Sequence, residues 1–133
     1  MTELIEDIPR VDIFDAASWL DLGGVRESLE LAGGGSRIVH SSNALEIGVE
    51  VLTSPGRGEV RIERGDALYV VLEGCGVLGV AGQDPLALVR GEAAIVRAGA
   101  RHVLFGNPSV SLLIVSAPGS SAPTTPLALC RRP

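Results

Sequence analysis

The sequence predicts an all-β fold: a small barrel of two antiparallel sheets behind a short N-terminal arm or helix. Three observations lead there. From Arg37 to Val115, short apolar or alternating runs follow one another, separated by turn signals. Glycine is abundant, at 17 of 133 residues, which suits many tight turns. Hydrophobic residues make up 46% while aromatics make up only 3%, so Val, Leu, Ile and Ala must fill the core. A chain of 133 residues fits one domain. At that size roughly two-thirds of the unfolded surface is buried, enough for one core.

Residues 1–35 read as the arm. Asp15 to Leu20 fits one short helix, capped by Asp15 and ended by Gly23-Gly24. Val25 to Leu31 alternates apolar and polar for most of its length, which favours a strand, although a helix also fits. Gly33-Gly34-Gly35-Ser36 is a joint. The barrel then spans 36–116. Arg37 to His40 is a short extended run, and Leu45, Ile47, Val49 and Val51 alternate with Glu46, Gly48, Glu50 and Leu52 as a half-buried strand. Ser54-Pro55-Gly56 breaks it. Val60 and Ile62 alternate with Glu59, Arg61 and Glu63, and Arg64-Gly65-Asp66 turns the chain. Ala67 to Leu72 is a continuous apolar run, as in a strand buried on both faces. Glu73-Gly74-Cys75-Gly76 reads as a hairpin, with Val77 to Ala81 returning. Leu86–Val89, Ala93–Val96, His102–Phe105 and Val110–Val115 complete the series, the last two separated by Gly106-Asn107-Pro108. The Pro- and Ser-rich tail, 117–133, is linker-like.

Charge and cysteine usage exclude several classes. Eleven basic against sixteen acidic residues give a formal charge of −5, which repels phosphate backbones, and no basic stripe is present; nucleic acid is not an expected partner. No apolar run approaches the roughly 20 residues of a membrane span, so no membrane partner is expected. The opening residues are acidic where a signal peptide would be basic, and the expected location is cytoplasmic. Cys75 and Cys130 are isolated and fit reduced thiols rather than a disulfide framework or a zinc site. No nucleophile elbow, phosphate loop or dinucleotide fingerprint occurs.

The chemistry rests on His102, which follows Gly91 and Gly99, and on the run Asp66, Tyr69, Val70, Val71, Leu72, Glu73, Gly74. This stretch, from about Pro55 to Val115, resembles the barrel of the cupin superfamily. Gly91, Gly99 and His102 match that family's second motif, with Arg97 in place of its Pro and Gly106 at its Asn position. Its first motif, anchored on Gly74, places Arg61 and Glu63 at the two His positions and Ala67 at the Glu position. The resemblance implies a double-stranded β-helix, or jelly roll, and a homodimer, for which the face of Leu45, Ile47, Val49 and Val51, or the arm, could form the contact.

A cupin metal site usually takes three His and one Glu, a set that suits divalent transition metals. Here Arg61 has no lone pair to offer and Ala67 offers nothing. The expected state is therefore one without a cofactor. In the family register Arg61, Glu63, Ala67, Tyr69 and His102 share the interior, and the ligand-binding candidates are Arg61, Glu63, Tyr69 and His102. Such a cluster could hold a small polar molecule, for instance a carboxylate clamped by Arg61. Alternation alone fits the opposite register equally, with Val60 and Ile62 inside and Arg61 and Glu63 solvated. Arg97 and Arg101 are expected on the rim, solvated. Three functions remain open. The first is a small-molecule binding module without the standard metal. The second is a metal-dependent isomerase or dioxygenase with a divalent transition metal on His102 and Glu63, helped by His40 or Asp66. The third is an accessory domain acting through its dimer surface.

Overall fold

Two long strands, Ala67–Val80 and His102–Ser116, form the frame on which the other strands hang. The computed structural model describes residues 19–53 and 60–118. Its elements are α1 (Leu22–Leu31), β1 (Gly35–Ser41), β2 (Glu46–Leu52), β3 (Val60–Arg61), β4 (Ala67–Val80), β5 (Leu86–Val89), β6 (Ala93–Val96) and β7 (His102–Ser116). All pairings are antiparallel. β4 and β7 pair from Ala67↔Ser116 to Val80↔His102, with register shifts between Val71 and Glu73 and between Gly74 and Gly76. β6 pairs the first half of β4 and β5 the second half. β2 pairs the second half of β7 and β3 the first. One sheet is thus β1-β2-β7-β4-β6 and the other β3-β7-β4-β5, with β4 and β7 passing through both.

That continuity corrects two expectations. Glu73–Gly76 is not a hairpin, and Gly106-Asn107-Pro108 does not end a strand. The glycines let two paired strands bend together instead. Gly76 lies opposite Gly106, and Gly74 lies opposite Val110 with φ +83. A Cβ on Gly74 would sit 2.3 Å from the Ser109 carbonyl oxygen, and one on Gly106 would sit 2.5 Å from that of Leu52. Only glycine allows the backbones this close.

Alternate residues of the strands fill the space between the sheets. Tyr69 and Val71 on one half of β4, Leu78 on the other, and Leu88, Val96, Leu104, Val110 and Leu112 form the main core. Each of the larger side chains buried there contributes roughly 1.5–3 kcal/mol.

A second, smaller core lies outside the barrel. The segment expected as a strand, Val25–Leu31, is instead the body of α1, and Gly23-Gly24 opens this helix rather than closing an earlier one. Asp21 caps it by accepting the Gly24 N–H at 2.9 Å. A side chain on Gly24 would collide with the Asp21 carboxylate, so the glycine makes room for the cap. Arg26 and Glu30 pair one turn apart at 2.7 Å. Leu22, Val25 and Leu29 fall on one helical face and cover Val39, Val49 and Val51. Ser111 on β7 donates to Glu30 Oε2 at 3.2 Å, tying the helix to the sheet. The helix expected over Asp15–Leu20 lies mostly outside the described residues; Trp19 and Leu20 are not helical. Since α1 covers Val49 and Val51, that pair is not available to a second subunit.

The bend is the constraint most open to test. Gly74→Ala is expected to lower the unfolding free energy by more than about 2 kcal/mol, read from the urea midpoint. An unchanged midpoint would show that the strand crossing tolerates a side chain.

Candidate functional site

The polar cluster sits inside the barrel, on β2, β3, β4 and β7. β3 pairs β7 with Arg61 opposite His102, which brings the two first-motif residues to the second-motif histidine. Val60 and Ile62 are exposed, at 38% and 48%, while Glu63 is 7% exposed and the Arg61 side chain 12%. The structure therefore takes the register with Arg61 and Glu63 inward. Two contacts fix the following turn: Gly99 N–H donates to the Glu63 carbonyl at 2.9 Å, and Ala98 N–H donates to Asp66 Oδ1 at 2.9 Å. The turn before β4 is thereby pinned to the one before β7.

Arg61 Nη2 donates to Glu50 Oε2 at 2.7 Å. Burial alone would lower the Arg61 pKa, but the hydrogen bond and charge of Glu50 outweigh it and raise it, so the guanidinium is a fixed cation. Tyr69 and His102 lie deeper, at 0% and 2% exposure. The Tyr69 hydroxyl is 2.8 Å from His102 Nε2, and His102 Nδ1 is 3.0 Å from the Ala100 carbonyl oxygen. A carbonyl only accepts, so Nδ1 carries the proton; neutral Nε2 then accepts from the Tyr69 hydroxyl. Burial holds the imidazole below its ordinary pKa, against the Ala100 hydrogen bond, with the Arg61 charge adding to the depression. Burial also pushes the Tyr69 phenol up to about 12, so it remains a donor.

Glu63 is the misfit. Its Oε1 is buried without a hydrogen-bond partner. Desolvation raises its pKa; Arg61 and the neighbouring Tyr69 hydroxyl oppose this, and the carboxylates of Glu46 and Glu50 reinforce it.

Arg61, Glu63, Tyr69 and His102 are thus brought together, with Ala67 buried beside them. His40 and Asp66 are not part of the group. His40 lies on β1, opposite Ile47 and one strand removed from β7, and Asp66 is exposed on its turn. Arg97 and Arg101 are exposed. Glu50, and with it Glu46, was missed because β2 was read as burying only its Val49 and Val51 face. The usable signal was Leu52, an apolar residue in phase with Glu46 and Glu50, which packs against the main core.

These residues do not fit the metal that the fold implies. Arg61 stands at one ligand position and Ala67 at another, and both nitrogens of His102 are engaged. Among the described residues, no three His, Cys, Asp or Glu side chains gather as a metal would need.

Comparison with known structures agrees on the fold. A cupin superfamily protein from Desulfitobacterium hafniense superposes with a TM-score of 0.59 at 21% identity, over 64% of this chain and 77% of its own. An RmlC-like cupin family protein with a double-stranded β-helix from Methanocaldococcus jannaschii gives 0.58 at 14% identity, over 64% and 80%. The salicylate 1,2-dioxygenase of Pseudoaminobacter salicylatoxidans gives 0.60 at 17% identity, over 71% of this chain but 30% of that one. No protein-family model and no curated protein matches the chain. The fold is the double-stranded β-helix of the cupins. Among the described residues no helix is long and apolar enough to cross a membrane.

Two outcomes follow. Tyr69→Phe leaves His102 Nε2 buried without its donor, and is expected to cost about 1–3 kcal/mol in chemical denaturation. The pH dependence has two opposing parts. His102, with its folded pKa below the ordinary 6.5, contributes stability that is complete above pH 6.5 and is lost as pH falls towards the folded value. Glu63, with its folded pKa above the ordinary 4.5, contributes stability that is complete below pH 4.5 and is lost as pH rises through the folded value. Glu63→Gln should therefore raise the melting temperature at pH 7 and steepen its decline on the acid side, measured by thermal melts from pH 4.5 to 8. A variant less stable than the parent at pH 7 would contradict this account of Glu63.

Proposed function

We propose that the chain is a small-molecule binding module that works without the standard cupin metal. The carrying observation is the double engagement of His102. Its Nδ1 is on Ala100 and its Nε2 on Tyr69, while the place of a partner histidine holds the Arg61 guanidinium, paired to Glu50. Arg61 supplies a permanent positive charge where a metal would supply one, and needs no coordination shell. Glu50 balances that charge and fixes the side chain, and Tyr69 and His102 form a neutral floor. A polar ligand entering past Arg61 and Glu50 would meet oriented donors and acceptors in a site of low dielectric, where hydrogen bonds are strong.

A metal-dependent isomerase or dioxygenase on Glu63 and His102 is the competing reading. It would require Tyr69 to give up Nε2 and further donors to arrive, and likeness to a dioxygenase at 17% identity speaks only to fold. We also propose that the module acts as a homodimer. With Val49 and Val51 covered by α1, exposed apolar residues such as Leu86 and Val89 on β5 support it.

Elemental analysis of full-length protein purified without chelators tests the main reading. The expected result is far less than one transition metal per chain, and no rise in melting temperature on adding zinc or iron salts. One metal per chain, lost in His102→Ala, would establish the enzyme reading instead.

A further inference from the structure

The hydrogen-bond and charge inventory of the cluster narrows the ligand, an inference that rests on the binding reading above. Three donors of the cluster have fixed partners. Arg61 Nη2 is on Glu50, the Tyr69 hydroxyl on His102 Nε2, and His102 Nδ1 on Ala100. The atom left over is Glu63 Oε1, on a side chain 7% exposed; it makes no hydrogen bond, although the Tyr69 hydroxyl and Arg61 are neighbours of the carboxyl group. A buried acceptor without a donor is costly, and the deficit is removed when a ligand brings an N–H.

Charge decides what kind of N–H. Among the described residues, Glu63 feels the carboxylates of Glu46 and Glu50 and the guanidinium of Arg61, whose charge Glu50 already balances. An incoming carboxylate would meet the like charge of Glu63 and would have to share Arg61 with Glu50, which already holds Nη2 at 2.7 Å. An incoming cation would reduce the negative excess and complete Glu63, leaving the Arg61–Glu50 pair in place. Access is set by the same pair. Glu50 and Arg61 keep 15% and 12% of their side-chain surface in contact with solvent, whereas Tyr69 and His102 behind them are closed off.

We propose that the barrel binds a small organic cation, a primary ammonium or amidinium, which donates an N–H to Glu63 Oε1 at the Arg61–Glu50 end of the interior. The carboxylate clamp suggested by Arg61 alone gives way to this reading, because Glu50 already takes Arg61 Nη2 and balances its charge.

Isotope-labelled full-length protein titrated with butylammonium, butyrate, 1-butanol and zinc chloride tests this. The first three share a chain and differ in head group, and the readout is the His102 ring and Arg61 side-chain NMR signals. Butylammonium is expected to shift these signals saturably, butyrate and butanol are not, and Glu63→Gln should weaken butylammonium binding by about tenfold or more. Glu63→Asp, which keeps the charge, should retain part of the affinity, and melting curves confirm that both variants fold. Equal binding by the parent and Glu63→Gln would overturn the proposal. Saturable butyrate binding that Arg61→Gln removes would overturn the cation and leave the binding module standing. Stoichiometric zinc binding lost in His102→Gln would overturn both. Silence towards all four probes would also overturn both.

Discussion

The β4–β7 ladder is the interaction on which the molecule depends. Among the described strands, β2 pairs with β1 and β7, β3 with β7, and β5 and β6 with β4. Both sheets exist because these two strands cross from one to the other without breaking. The crossing is narrow: Gly74, Gly76 and Gly106 bring backbone against backbone, and a methyl group at Gly74 or Gly106 would overlap main-chain atoms. The same ladder places Tyr69 of one sheet against His102 of the other, so bending the frame and assembling the polar cluster are one event.

Inside that frame a buried ion pair replaces a coordination sphere. Taking a guanidinium and a carboxylate from water is expensive, and such a pair seldom adds net stability over an apolar equivalent. Removing one partner alone would leave an uncompensated charge, at a cost of about 3–5 kcal/mol. Arg61 and Glu50 therefore look like a pair kept for its field and geometry, with Tyr69 and His102 locked behind it in one proton arrangement. Among the described residues Glu63 Oε1 is the one buried side-chain polar atom without a hydrogen-bond partner.

Much of the architecture was legible because turn chemistry and apolar alternation are local signals. The strands from Arg37 to Val115 could be read from residues within a few positions of one another. The helix over Leu22–Leu31 could not, since Val25–Leu31 satisfies both periods, and the choice depends on Val49 and Val51, strands away. Nor could the bends at Gly74 and Gly106, where a glycine reads as a stop unless its cross-strand partner is known to be small as well. At the site, Arg61, Glu63 and His102 could be placed through motif spacing. Glu50 could not, because an alternating strand does not say which face the barrel encloses when a helix waits outside to cover the other. The pairing of Tyr69 with His102, separated by 33 positions, is a property of register alone.

The helix has one more consequence, for anyone cutting the chain down. Gly33 and Gly34 look like a natural place to trim, since glycine joints often mark a boundary. A fragment starting there would keep all seven described strands yet lose Leu22, Val25 and Leu29, uncovering a valine-rich outer wall beside the edge strand β1. Bare apolar sheet next to unpaired backbone is the condition under which strands from different molecules join. The ten residues of α1 thus serve as a built-in solubility shield, and the smallest well-behaved version of this barrel begins before them.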